Sequence, residues 1–162
     1  MTFIVATYDP SQVELIVASH KVEGWSSITV TKDTPSFTKV QGIRGKNTRT
    51  RNKNSGCSIQ VNLIQTSYSN NVFSEIVKQD RLSGKGRIEM LLKDLGGDSL
   101  LQSKEAYLVD YSPMGFSAEI GNRVWLIDCL STFEYRAGGN VKSPAGIFNS
   151  AVGGASRYFG LN

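Results

Sequence analysis

The sequence has few of the residues that catalytic and metal sites most often use. Its 162 residues include one histidine and two cysteines. Cys57 and Cys129 have no CxxC spacing and lie in alternating apolar segments, where a thiol usually acts as a small hydrophobic group. His20 lies between two strand-like segments, so we expect it in a solvated turn rather than in a catalytic triad. We therefore expect no catalytic residue, no metal site and no cofactor.

Long apolar segments are also absent. The longest uncharged apolar stretches, at 90–92 and 124–127, are far shorter than the ~20 residues that cross a bilayer as a helix. Residues 1–10 lack a basic segment followed by a long apolar one. We expect a soluble chain, neither secreted nor inserted in a membrane. Its length and its 40% hydrophobic residues suit one domain with a core.

The net charge of +4 is concentrated in one segment. Between residues 39 and 53 there is no acidic residue, and six of the chain's 18 basic residues lie there, which leaves 12 basic against 14 acidic residues elsewhere. The six are Lys39, Arg44, Lys46, Arg49, Arg51 and Lys53. Because no regular apolar face runs through this segment, we predict an exposed, irregular loop within residues 33–54. Composition leaves open a solvated loop, docking on an acidic partner subunit, or contact with nucleic-acid phosphates.

Period-two alternation predicts strands at 12–19, 27–31, 57–63, 87–94, 99–110 and 123–135, with the first two paired as a hairpin over 12–32. In the last strand one face is apolar (Trp125, Ile127, Cys129, Phe133 and Tyr135) and the other is polar (Asp128, Thr132 and Glu134). No proline interrupts the strands at 57–63, 87–94 or 123–135. Unpaired edge strands of this kind can pair with another chain, which makes oligomerisation plausible on physical grounds.

One helix is predicted at about 71–81. Val72, Phe73, Ile76 and Val77 form its apolar stripe, Ser69, Asn70 and Asn71 are candidate N-caps, and Gly84 supplies a stop. The predicted fold class is mainly β, a sandwich or barrel of six or seven mostly antiparallel strands with this helix packed on it. We assign residues 1–136 to the β domain and 137–162 to a glycine-rich C-terminal arm, whose aromatic residues favour docking on a neighbour.

Several stretches together resemble the tail-tube (inner tube) proteins of contractile-tailed bacteriophages. These stretches are Thr7-Tyr8-Asp9-Pro10, DTPSFTK at 33–39, Thr48-Arg49-Thr50-Arg51-Asn52, and SGCSIQVNLIQTSYSN at 55–70. The most distinctive part is the Gln-Thr-Ser-x-Ser-Asn run that leads into the helix. The resemblance covers roughly residues 7–136.

This resemblance implies a non-enzymatic structural protein of the phage virion. Six copies would close into a ring, each giving about four strands to one barrel, and the rings would stack into a tube inside a contractile sheath. The implied partners are other copies of the chain, the tail sheath protein, the baseplate and tail terminator proteins, the tape-measure protein in the lumen, and double-stranded DNA in passage. Assembly would take place in the host cytoplasm. The resemblance also allows a tube-end or baseplate component, or the tube of a related contractile injection system.

The family interpretation assigns roles to the two polar features of the sequence. Basic side chains in the lumen would bind phosphates and slow ejection, so lumen positions should be small, amide-bearing or acidic. The candidates are Ser58, Gln60, Asn62, Asp128, Thr132 and Glu134, with the similar face of Ser27, Thr29 and Thr31 as an alternative. The six basic residues at 39–53 are then expected at a contact with a neighbouring subunit or ring. A β-rich nucleic-acid-binding module that uses this segment is the rival function.

Overall fold

The computed structural model describes residues 7–140, and within them the chain has ten β-strands and one α-helix. In chain order the strands are β1 (Val13–Val17), β2 (His20–Lys21), β3 (Trp25–Lys32), β4 (Phe37–Gln41), β5 (Asn47–Arg51), β6 (Cys57–Ile64), β7 (Ile88–Asp94), β8 (Leu100–Leu108), β9 (Asn122–Ser131) and β10 (Glu134–Arg136). The helix α1 covers Ser69–Ser83, between β6 and β7. The mainly β class with one helix is confirmed.

Eight of the strands form one antiparallel sheet in the order β2-β1-β7-β8-β9-β6-β3, with β10 also paired to β8. The remaining two strands, β4 and β5, form a separate hairpin. The sheet curls over its apolar face, since Val30 on β3 lines the same cavity as Leu92 on β7 and Leu101 on β8. It remains open within the described residues, with β2 at one end and β3 at the other.

The predicted hairpin over residues 12–32 is wrong. Strand β1 pairs with the two-residue strand β2 and with β7, while β3 pairs with β6 at the far end of the sheet. The chain leaves β2 through Gly24, which has φ +73 and lies so close to Ser67 that a Cβ would stand 2.8 Å from the Ser67 Cβ. Only glycine fits that crossing without strain. The predicted alternation of β1 is present, with Leu15 and Val17 fully buried.

The single strand predicted over 123–135 is interrupted. Strand β9 ends at Ser131 and β10 begins at Glu134, and both pair with the same neighbour, β8. Cys129 is fully buried, but Phe133 is 59% exposed and Tyr135 39% exposed. An irregularity in the β8–β9 register and the bend at 132–133 therefore break the predicted apolar face.

Helix α1 begins two residues before the predicted start and ends at Ser83, two residues after the predicted end, where Gly84 with a φ of 67 gives the left-handed C-cap. The expected side-chain N-cap is absent. Ser69 instead accepts a hydrogen bond from the Glu23 amide at 3.0 Å and contacts His20 Nε2 at 3.0 Å. Of the predicted stripe, Phe73 and Val77 are buried, Ile76 packs against the core and Val72 is half-buried. The Phe73 and Trp125 rings pack edge to face with their centroids 5.4 Å apart, and this contact stabilises the packing of α1 on β9.

Candidate assembly surface

The outward face of β3 and β6 is a continuous polar surface. Their register places Ser27 beside Asn62, Thr29 beside Gln60 and Thr31 beside Ser58. The Asn62 Nδ2 donates to the Ser27 Oγ at 2.7 Å. Cross-strand neighbours share one side of a sheet, so the two polar faces read separately from the sequence are one surface. We call these six residues together with Asp128, which lies beside Ser58 on β9, the polar face.

The polar face carries no basic side chain. The adjoining outward positions of β6 and β9 are Ile64, Asn122, Val124, Leu126 and Leu130, which are also uncharged. Arg123 alternates to the other side of the sheet, where it is only 9% exposed. Asp128 is the one charged residue of the surface, and it accepts a hydrogen bond from the Tyr107 hydroxyl at 2.8 Å. This bond raises the pKa of the Tyr107 phenol. A surface of this composition has no positive charge with which to hold a phosphate.

Three aliphatic residues of β9 lie on the same side of the sheet as the polar face and were missed at the sequence level. Val124, Leu126 and Leu130 are 39%, 45% and 48% exposed. Their alternation with the buried Trp125, Ile127 and Cys129 was visible in the sequence. Only the polar residues of that strand were predicted to face outward.

Thr132 and Glu134 are not part of the polar face. Thr132 sits in the bend after β9, where its Oγ1 donates to the Ser55 carbonyl at 2.8 Å and its amide donates to the Ser55 Oγ at 3.3 Å. Glu134 lies on β10 beside Gln102 and makes an ion pair with Arg136 at 3.4 Å. Asp128 alone of the three contacts the polar strands.

The basic segment is exposed, as predicted, but the prediction of an irregular loop is wrong. Strands β4 and β5 pair through five residue pairs, and every residue of both strands is exposed. Their alternation gives the hairpin two different faces. Phe37, Lys39, Arg49 and Arg51 lie on one face, and Thr38, Val40, Thr48 and Thr50 on the other. The Thr38 and Thr50 hydroxyls are 2.6 Å apart on the uncharged face. Residues 37–53 are called the basic hairpin below.

The charges of the basic hairpin are not neutralised within the described residues. Lys39 lies directly opposite Arg49, a like-charge pair that opposes pairing of the two strands. The Arg49 guanidinium stacks 4.3 Å from the centre of the Phe37 ring. Arg44 and Lys46 lie in the turn and Lys53 follows β5. None of the six basic side chains forms an ion pair with a carboxylate of residues 7–140. A partner surface with negative charge would relieve this repulsion.

The free edge of β3 is the second assembly feature. The Asp33 amide donates to the Gly56 carbonyl, so Thr31 and Thr29 also turn their backbone groups toward β6. The intervening residues Ile28, Val30 and Lys32 must turn theirs to the outside, because backbone groups alternate along an antiparallel strand. Among the described residues no strand pairs with that side of β3. An eight-residue, proline-free edge of this kind is a template for another strand.

The described residues offer little for catalysis. Residues 7–140 contain no group of three or more metal-ligating side chains of the His, Cys, Asp or Glu type. The structure brings Cys57 and Cys129 together as directly opposed, fully buried residues of β6 and β9. The hydrogen bond between the thiols and their burial raise the pKa of Cys129, which keeps it protonated. His20 is half-buried in β2 and not in the solvated turn that the sequence predicted. In this part of the chain no helix has the length and apolarity to span a bilayer.

Comparison with known proteins shows the class of protein to which this chain belongs. The sequence is 38% identical over 152 residues to structural protein ORF10 of Pseudomonas phage KPP10, and the match covers 86% of this chain and 87% of the relative. The chain belongs to the ORF10 family of phage structural proteins. Membership of the ORF10 family confirms that the chain is a structural protein and not an enzyme.

A solved structure shares the fold of this member of the ORF10 family. The cryo-EM structure of the anti-feeding prophage cap, the AFP tube terminating cap, superposes with a TM-score of 0.56 at 11% sequence identity, over 83% of this chain and 97% of that one. The fold is therefore one found in a tail-related assembly. No family model matches the sequence.

Proposed function

We propose that this protein is a subunit of a phage tail tube, in which identical copies share sheet edges to close rings and the rings stack into a conduit for DNA. The observation that carries the proposal is the open sheet. Along the free edge of strand β3, which contains no proline, the backbone amides and carbonyls of Ile28, Val30 and Lys32 point away from β6. Pairing with the next copy satisfies these backbone groups and removes the edge.

The resemblance to tail-tube proteins supplies six copies of about four strands each, and sheet geometry then gives the diameter of the ring. Strands β3, β6, β9 and β8 are consecutive neighbours in this chain, and the sheet continues from β8 to β7. If six copies each contribute four strands, a barrel of about 24 strands with ~4.8 Å spacing and ~40° tilt has a backbone diameter near 50 Å. Side chains narrow this bore, and a DNA duplex still passes. The polar face lies on three of these four strands, so it lines the lumen in this arrangement.

A lumen lined in this way suits passage rather than binding. The hydroxyl and amide groups of the polar face are uncharged, and Asp128 repels phosphate. Six basic hairpins per ring in the lumen would hold DNA in a salt-dependent manner. We therefore place the basic hairpin at contacts between subunits, outside the bore. The tail sheath then surrounds the tube, the baseplate and tail terminator proteins close its ends, and the tape-measure protein fills the lumen during assembly in the host cytoplasm.

A tube-end subunit is the second candidate, because the fold similarity is to a tube terminating cap. Tube-body and tube-end subunits share ring closure and differ in copy number, since an end component forms a single ring. The number of copies per particle therefore separates the two functions.

Quantitative mass spectrometry of purified particles tests the function. If the protein is a tube-body subunit, the number of copies per particle should equal that of many stacked rings. Antibodies against the chain should also label the whole length of tubes exposed by sheath contraction. One ring's worth of copies and label at a single end would favour the tube-end function. Absence of the chain from purified tails would contradict both.

A further inference from the structure

The loop between β8 and β9 differs in composition from the rest of the surface. Residues 109–121 contain the carboxylates Asp110 and Glu119 and no basic residue. The loop also exposes five large apolar side chains: Val109 (52%), Tyr111 (39%), Met114 (78%), Phe116 (77%) and Ile120 (72%). A patch of this kind on one loop is a feature of interaction sites. We call residues 109–121 the acidic loop.

The acidic loop is held in place from beneath. The nine-tenths-buried Arg123 donates from Nη1 to the Gly115 carbonyl at 3.1 Å, and its guanidinium lies 5.2 Å from the centre of the Phe116 ring. Arg81 of α1 approaches the Tyr111 ring at 6.0 Å. Neither Asp110 nor Glu119 forms an ion pair with a basic side chain of residues 7–140. Both carboxylates are exposed and open to a partner.

The acidic loop and the basic hairpin lie at opposite ends of the same pair of strands. The hairpin precedes β6 at Cys57, which pairs with Cys129, whereas the loop precedes β9 at Asn122, which pairs with Ile64. The seven steps of β6 between these ends span roughly 23 Å at the usual rise per residue. The two surfaces therefore do not meet within one copy at those points. They are positioned to meet when two copies follow one another along the strand direction.

Resting on the proposed tube function, we propose that the charged face of the basic hairpin docks on the acidic loop of a second copy in the next ring. The basic hairpin and the acidic loop are complementary both in charge and in exposed apolar side chains. Lys39, Arg49 and Arg51 present three positive charges to a loop with two carboxylates, and none of these five groups forms an ion pair within residues 7–140. On the same face, Phe37 is 48% exposed and meets a loop rich in exposed apolar side chains. A contact between different surfaces of identical copies repeats without closing, which is how a stack grows.

Reciprocal charge reversal tests the contact. The variants R49E/R51E and D110K/E119K should each keep the folded rings and lose long rods, because like charges then face each other across the contact. Combining all four substitutions should restore rod length, since the pairing returns with its polarity inverted. The combined variant also keeps the net charge of the natural chain, so solubility is matched. Rod length is measured by negative-stain microscopy, with circular dichroism to verify folding.

A control on the other face of the hairpin completes the design. Thr48 lies on the uncharged face, so T48E should leave rod length unchanged. Normal rods from D110K/E119K, or no rods from the combined variant when the single-sided variants are folded, would overturn the contact. The contact would also be overturned if the natural chain bound DNA and R49E/R51E abolished that binding without changing rod length. That result would favour a nucleic-acid surface. Absence of rods from the unmodified chain would instead contradict the proposed function.

Discussion

Replacing Val30 with proline is expected to give a folded subunit that forms no rings. The Val30 amide points away from β6, so its loss removes no hydrogen bond within the sheet of one copy. In the assembled ring the same amide would donate to the neighbouring copy. Proline removes that donor and its ring obstructs the approach of the second strand. We expect sedimentation velocity to show a monomer at concentrations where the natural chain assembles.

Val30→Ala is the matched control. Val30 is half-buried and packs against the core, so both substitutions lose side-chain contacts, but only proline removes the outward amide. Alanine should lower the free energy of unfolding by about 1–2 kcal/mol and still permit rings. Rings of Val30→Pro as abundant as those of Val30→Ala would show that the β3 edge is not used.

Replacing Phe73 with alanine is expected to produce the largest loss of stability by a single side chain. The residue is fully buried, and its ring packs edge-on against Trp125 at 5.4 Å. Removing a buried aromatic ring usually costs about 3–5 kcal/mol, and here the ring contact that joins helix and sheet is lost as well. Urea unfolding at one fixed protein concentration measures the effect, because assembly would otherwise shift the transition.

Val72→Ala serves as the comparison on the same helix. Val72 is half-buried, and alanine has a higher helix propensity than valine, so the two effects partly cancel. We expect a change below about 1 kcal/mol. An equal loss for the two variants would mean that the Phe73 contact does not anchor the helix.

The local features of this fold could be predicted from the sequence. The buried alternation of β6, with Ile59, Val61 and Leu63 inward, follows from period two, and α1 follows from its apolar stripe and Gly84. The pairing of distant strands could not be predicted, because which strand lies beside β3 depends on contacts far apart in the chain. For the same reason the sequence did not show that Cys57 and Cys129 are opposed.

The candidate assembly surface was predicted in part. The polar residues of β3 and β6 were identified, and the structure joins them. The basic segment was predicted as an irregular loop because it has no regular apolar face, although threonine and arginine alternate with period two over Thr48–Arg51, as they do in the observed strand. The acidic loop was not predicted as an interaction surface. Two features of residues 109–121 could have indicated such a surface. The segment contains no basic residue, and its apolar residues follow neither a helix nor a strand period.

Electron microscopy of the purified chain at high concentration tests the central claim most directly. If the β3 edge is completed by identical copies, the images should show annuli with a central hole wide enough for a DNA duplex, and rods built from them. A population that remains monomeric at every concentration, with no annuli in infected cells, would contradict the account.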